Sequence, residues 1–110
     1  MELPNIYNFI DEKYSPLLSY LFTLPVNDFL NFLKAIRDRS GLVREYHGFD
    51  FEKSNEYVEF WDDSSGQELI IELSISNLLA LLSPIIDSFK DDLEINKQIT
   101  LTINEIKSSL

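Results

Sequence analysis

Cysteine is absent from this 110-residue chain, so disulfides, thiolate metal sites and cysteine nucleophiles are all excluded. Glycine occurs only three times, and no glycine-rich loop that would cradle a phosphate is present. The single histidine, His47, lies in a predicted strand, and neither a nucleophile nor an orienting group can be assigned to it. We therefore predict that His47 is a surface or strand-edge residue, and that the protein is not an enzyme and needs no cofactor.

Basic residues are also scarce. Nine Lys and Arg stand against nineteen Asp and Glu, which gives a net charge of −10. Binding of nucleic acid or of an anionic membrane requires clustered positive charge, so neither is an expected partner. The chain shows no secretory signal, and no apolar run approaches the roughly 20 residues of a membrane span. These features predict a single domain, 1–110, of a soluble cytoplasmic protein.

The negative charge is concentrated between Leu42 and Glu72, where only Arg44 and Lys53 oppose nine acidic residues and the net charge is −7. The nine are Glu45, Asp50, Glu52, Glu56, Glu59, Asp62, Asp63, Glu68 and Glu72. The same segment holds Tyr46, Tyr57 and Trp61, residue types that are enriched at interface hot spots. Solubility alone would also account for an acidic strand face. Charge of one sign beside aromatic residues nevertheless favours a binding surface for a basic partner.

Apolar residues recur at helical spacing in the first 40 residues and again after Ser74. One predicted helix contains Ile6, Phe9 and Ile10. A second begins at Ser15-Pro16 and ends at Pro25, and a third runs from an Asn27 cap to a stop at Gly41. Ser76 is the predicted cap of a leucine-rich helix, in which Pro84 either produces a kink or starts a second helix, and Asp91-Asp92 is a predicted break. Residues 95–110 fit a strand or a helix, and the helix is favoured because its pattern persists to Leu110.

Three alternating segments predict an antiparallel meander: Leu42–Phe51, Glu56–Asp62 and Gln67–Ser74. Their predicted turns are Glu52-Lys53-Ser54-Asn55 and Asp63-Ser64-Ser65-Gly66. In the middle strand Val58 and Phe60 point one way, and Tyr57, Glu59 and Trp61 point the other. In the third, Leu69, Ile71 and Leu73 point to the core, and Glu68, Ile70 and Glu72 point away. The predicted fold class is α+β: a helical N-terminal third, a three-stranded antiparallel sheet, and C-terminal helices packed on one sheet face.

A calcium-binding loop is the main metal-site alternative, because Gly66 and Glu72 have the spacing of the sixth and twelfth positions of such a loop. The first ligand position would then be Trp61, which cannot coordinate calcium, and helices do not flank the segment. We therefore predict a polar hairpin turn and no metal.

The order of these parts is similar to that of immunity proteins of contact-dependent growth inhibition systems, a class of bacterial toxin immunity proteins. The resemblance is carried by the helical N-terminal third, by the strand pair Glu56–Asp63 and Gln67–Leu73, and by the leucine-rich helix from Ser76. It implies that the protein neutralises a cognate toxin domain, expected to be a basic nuclease, by blocking its active site or substrate path.

The acidic aromatic face is the predicted toxin-binding surface. Its predicted centre is Glu59, Trp61, Asp62 and Asp63, with Tyr57, Glu68 and Glu72 as neighbours and Glu45, Tyr46, Asp50 and Glu56 as a rim. The alternative is a non-catalytic regulatory or adaptor domain that binds a host protein through the aliphatic face of a helix.

Overall fold

The computed structural model describes residues 11–51 and 55–110, which form an α+β fold of four α-helices and one four-stranded antiparallel sheet. The helices are α1 (Ser15–Thr23), α2 (Phe29–Asp38), α3 (Ile75–Asp87) and α4 (Leu93–Ser108). The strands lie side by side in the order β1 (Leu42–Arg44), β2 (His47–Asp50), β3 (Tyr57–Asp62) and β4 (Leu69–Ser74). The predicted fold class is confirmed, and the sheet has one strand more than predicted.

The additional strand arises because the predicted strand Leu42–Phe51 folds back on itself. Glu45 and Tyr46 form a two-residue turn that places Arg44 opposite His47. Glu45 adopts a φ of 53°, in the left-handed region that residues other than glycine rarely enter. Tight hairpin turns usually contain Gly, Asn or Asp at this position. The pair Glu45-Tyr46 contains none of these residues. The sequence pattern therefore predicts one continuous strand across the turn.

The helix that lies across β2, β3 and β4 is α1, whereas the prediction placed the C-terminal helices there. Four aromatic rings explain this packing. Tyr20 of α1 and Phe32 of α2 have ring centroids 5.2 and 5.4 Å from that of Phe49 on β2. Phe60 on β3 lies 5.3 Å from Phe49. Edge-on and tilted contacts between buried rings stabilise the core beyond the area that they bury. Helix α4 packs against α2 instead of covering the sheet.

The predicted helices after β4 are confirmed, but the cap of α3 is shifted. Ser74, not Ser76, caps α3, because its hydroxyl accepts the backbone N–H three residues later at 3.1 Å. Helix α3 continues through Pro84 to Asp87 and does not restart there. Asp92 caps α4, and residues 95–108 are helical as favoured. None of the helices in the described part of the chain is long and apolar enough to cross a membrane.

Two predicted helix boundaries around α2 are wrong. A 3-10 turn at Val26–Asp28 precedes α2, so Asn27 lies before the helix and does not cap it. The helix ends at Asp38, before the predicted stop at Gly41, and Arg39 takes a φ of 56°. Two predictions lie outside the described residues: the helix with Ile6, Phe9 and Ile10, and most of the turn that begins at Glu52.

Arg39 stabilises the end of α2 through its own side chain. Its guanidinium donates to the carbonyl oxygens of Ile36 at 2.8 Å and Asn55 at 2.7 Å, and to the Ser109 hydroxyl at 2.9 Å. These bonds join α2, the β2–β3 connection and the end of α4.

We expect Arg39→Ala to lower the free energy of unfolding by about 1–3 kcal/mol, because it removes these bonds. The strain of a side chain at positive φ is the same with arginine and with alanine. Arg39→Gly should lose about 1 kcal/mol less, since glycine accepts the left-handed backbone. Urea unfolding of both variants measures the difference. Equal stability of the Ala variant and the unmodified protein would show that the bonds contribute nothing.

Candidate partner-binding face of the sheet

The sheet has two faces of different character, which we call the core face and the outer face. Side chains alternate along each strand, and the core face carries Leu42, Phe49, Val58, Phe60 and Leu73. Helices α1 and α2 reach this face through Tyr20 and Phe32. The outer face carries Val43, Gly48, Asp50, Tyr57, Glu59, Trp61, Ile70, Glu72 and Ser74. The predicted alternation of β3 is therefore confirmed.

Three carboxylates line up across the outer face. Asp50 pairs with Glu59, and Glu59 pairs with Glu72 on the next strand. We call these three residues the carboxylate row. Side chains that face each other across paired strands have Cβ atoms about 4.5–5.5 Å apart, so the three negative charges are held close together. Such a row concentrates negative potential where the sheet is accessible.

An apolar strip, formed by Val43, Trp61 and Ile70, runs parallel to the carboxylate row. Val43 pairs with Gly48, Gly48 with Trp61, and Trp61 with Ile70. Val43 and Ile70 are 68% and 49% exposed, respectively. The strip is thus an accessible apolar surface that extends from one edge strand of the sheet to the other.

Gly48 is a residue of this face to which the sequence analysis gave no role. A Cβ at Gly48 would stand 2.4 Å from Cζ2 and 2.7 Å from Cε2 of Trp61, so the indole occupies the space above the glycine. The ring therefore extends from β3 over β2 at Gly48. An isolated glycine within a strand often marks such a close approach, and this was the one available signal.

More acidic residues frame the apolar strip at the end of the sheet where two turns meet. Glu45 and Tyr46 form the β1–β2 turn, and Asp63 begins the β3–β4 turn. The Asp63 N–H donates to the Tyr46 carbonyl oxygen at 2.8 Å, so the two turns are joined. Glu68, which precedes β4, is exposed at the same end, as are Glu45 and Asp63. The apolar strip therefore lies between the carboxylate row and a second group of acids.

The structure brings most of the predicted binding residues to this region. Tyr57 is 44% exposed on the outer face, beyond the carboxylate row. Glu56 is exposed in the connection before β3. Leu69, predicted to be in the core, is 41% exposed, because it lies at the turn end of the edge strand β4. Ile70 points outward as predicted.

Asp62 does not belong to the proposed surface. It was predicted at its centre, but its carboxylate is buried on the core face and only 6% of the residue is exposed. The carboxylate accepts the Ser64 N–H at 2.8 Å, and one of its oxygens lies 3.1 Å from Nδ1 of His47. Asp62 follows Phe60 by two residues and therefore shares its face. Its contacts lie within the protein, with the following turn and with His47 of β2.

His47 is also buried, with 9% of the residue exposed, whereas the prediction made it a surface or strand-edge residue. It pairs with Asp62 across β2 and β3. Nδ1 of His47 lies close to the Asp62 carboxylate, but the imidazole ring is not oriented for a hydrogen bond to it. The contact is therefore electrostatic proximity and not a directed bond.

Burial by itself would raise the pKa of the Asp62 carboxyl. Three neighbours outweigh it: the hydroxyl and N–H of Ser64, the hydroxyl of Ser19 on α1, and His47. The pKa of Asp62 is consequently lowered from its usual value. A carboxylate with a lowered pKa in the folded state stabilises the fold above its unfolded pKa of about 4, and that contribution disappears as the pH falls through the folded pKa.

We expect Asp62→Asn to lower the free energy of unfolding by about 1–3 kcal/mol at pH 7, because it weakens a buried hydrogen-bonded charge. The deficit should shrink as the pH falls below about 4, since protonation of Asp62 removes the same contribution from the unmodified protein. Denaturant unfolding of both proteins from pH 7 to pH 3 tests this. A deficit that stays constant over this range would contradict the lowered pKa.

A separate apolar groove of about 390 Å³ lies between α3 and α4. Its walls are Ser76, Leu79, Ala80, Ser83, Ile86, Ile103, Lys107 and Leu110. Within residues 11–51 and 55–110, no group of three or more His, Asp or Glu side chains is arranged to hold a metal ion.

The outer face is thus an accessible apolar strip between two groups of acids. Basic residues are sparse in the four strands, where Arg44 is the one Lys or Arg, and its guanidinium points to the helices, donating to the Thr23 carbonyl at 3.1 Å. Comparison of the chain with protein-family models, with curated proteins and with solved structures finds no match.

Proposed function

We propose that this protein is an immunity protein that binds a cognate, basic toxin domain through the outer face and acts in the cytoplasm without catalysing a reaction. The observation that supports this most is the apolar strip between the carboxylate row and the acidic turns. Interfaces of high affinity combine a central aromatic anchor with a polar rim, and this face has both.

The two parts of the face serve different steps of binding. The acidic groups attract a positively charged partner and raise the association rate towards about 10⁸–10⁹ M⁻¹s⁻¹ at low salt. Trp61 then loses water against the partner and slows dissociation. A nuclease holds its phosphates with Lys and Arg, so an acidic protein that covers those residues blocks the substrate path.

Cell protection tests this function. The toxin domain is taken from the gene immediately upstream of the gene for this chain and is produced in bacteria with or without the protein. We expect growth only when the unmodified protein is present, and loss of protection with Trp61→Ala. Asp91→Ala, on the α3–α4 connection, is the matched control and should protect fully. Protection by the Trp61 variant would show that the outer face is not the toxin site, and failure of the unmodified protein would refute immunity against this toxin.

The groove between α3 and α4 favours a second candidate function. An apolar groove of this kind accommodates the apolar side chains of a host-protein segment, as in a regulatory or adaptor domain. In that case the acidic face would serve solubility alone. Ionic strength separates the two functions, because association steered by the outer face slows as salt rises, whereas groove binding stays nearly constant.

A further inference from the structure

The groove between α3 and α4 has the size of a small-molecule site. Helix α4 packs mainly against α2, which leaves one side of α3 partly uncovered. The residues of α3 that line the groove form a single stripe from Ser76 to Ile86, about 15 Å long at 1.5 Å per residue. Its volume of about 390 Å³ falls within the range of about 300–1,000 Å³ that is typical of ligand pockets.

Lys107 is the one charged residue among those that line the groove, and it is exposed. The residues three or four positions away from it on α4 are Ile103, Asn104 and Leu110, none of which is acidic. Its ammonium group forms no ion pair with a carboxylate of residues 11–51 and 55–110. A protein with a net charge of −10 therefore has an unpaired cation beside its apolar groove.

We propose that the groove binds a medium-length alkyl carboxylate, with the alkyl chain along Leu79, Ile86 and Ile103 and the carboxylate beside the Lys107 ammonium. Small-molecule sites combine apolar walls with a few polar groups that fix the orientation of the ligand, and the groove has this composition. The ammonium carries three N–H donors, which a carboxylate can accept. None of the lining residues belongs to the outer face, so the inference does not depend on toxin binding.

The size and charge of the groove favour this ligand over other occupants. Eight residues line the groove, whereas a standard protein interface uses about 20–30 residues on each side. A second copy of the chain would add another net charge of −10, which opposes association. A wholly apolar ligand would cover the Lys107 ammonium without giving it a partner, and loss of water from an unpaired charge is unfavourable.

Titration with decanoate, below the concentration at which it forms micelles, tests the site through the methyl NMR signals of Leu79, Ile86 and Ile103. We expect the Kd of decanoate to be about two- to fivefold lower than that of decanamide, its uncharged analogue, because of the contact with Lys107. Octanoate should bind at least about fourfold more weakly than decanoate, since each buried methylene strengthens binding by up to about fourfold. Decyltrimethylammonium should bind in the groove more weakly than decanamide, although the net charge of the protein attracts it.

Three variants complete the test, and thermal unfolding establishes that each is folded. Lys107→Met should remove the preference for decanoate over decanamide. Lys97→Met is the matched control, because it changes the net charge equally at an exposed position of α4 outside the groove. It should keep the preference. Ala80→Leu fills the groove from an exposed position and should abolish the methyl shifts.

Three results would overturn the inference. The first is equal binding of decanoate and decanamide by the unmodified protein, and the second is a preference for decanoate that survives Lys107→Met. The third is the absence of methyl shifts with decanoate, which would leave a host-protein segment as the candidate occupant of the groove.

Discussion

Reversing the charge of Glu59 and Glu72 together is expected to slow association with the toxin domain by about 10²-fold at low ionic strength. The two residues face each other in the carboxylate row, so the double Lys variant changes the local charge by four units at one place. Steered association exceeds unsteered association by two or more orders of magnitude, and a reversed charge repels a basic partner. The dissociation rate should change much less, because Trp61 remains in place. Stopped-flow measurement of both rates provides the test.

The matched control reverses Asp87 and Asp91, which are exposed near the end of α3 and change the net charge equally. We expect association of this control to slow by only a few-fold, because its charges lie away from the outer face. At high salt the association rates of the unmodified protein, the Glu59 and Glu72 variant and the control should converge. A control as slow as the Glu59 and Glu72 variant would mean that net charge, not the carboxylate row, directs binding. Thermal unfolding of each variant establishes that it is folded.

The alternation of β3 could be predicted from the sequence, because the pleat of a strand imposes a period of two residues. Val58 and Phe60 are apolar and buried, and Glu59 and Trp61, each of which follows one of them, face outward. The same rule assigns Asp62 to the buried face. Its charge argued for the surface, and that argument was wrong because Ser19, Ser64 and His47 make burial of this carboxylate tolerable. Ser19 lies on α1, 43 positions away in the chain, so the pattern within the strand gives no sign of it.

Strand register is the second part that could not be predicted. The carboxylate row and the apolar strip exist only because Gly48 pairs with Trp61 and Asp50 with Glu59. That pairing depends on where the β1–β2 hairpin turns, and the turn uses Glu45 in a left-handed conformation. A shift of one residue would send each side chain of β2 to the opposite face. Composition alone shows that the segment is acidic and aromatic. The arrangement of its side chains on the surface depends on how the strands pair.

Gly48→Ala is expected to have the largest effect on the fold among the substitutions in the sheet. The added Cβ would stand 2.4 Å from the Trp61 ring and 2.9 Å from the Leu42 carbonyl oxygen. Overpacking of this kind costs about 1–3 kcal/mol, and the Leu42 contact also disturbs the pairing of β1 with β2. We expect a loss of about 2–3 kcal/mol in the free energy of unfolding, together with a red shift of Trp61 fluorescence as the ring leaves the backbone. Urea unfolding and emission spectra measure the two effects.

A double variant separates the two contacts of this Cβ. Gly48→Ala combined with Trp61→Ala removes the clash with the ring and leaves the clash with the Leu42 carbonyl oxygen. The double variant should therefore be more stable, by about 1 kcal/mol or more, than the sum of the two single losses predicts. Gly66→Ala is the control, because its φ of 85° makes a side chain unfavourable although no atom lies within 4 Å. It should lose about 1 kcal/mol without a change in fluorescence. Strictly additive losses at Gly48 and Trp61 would mean that the indole does not rest on the glycine.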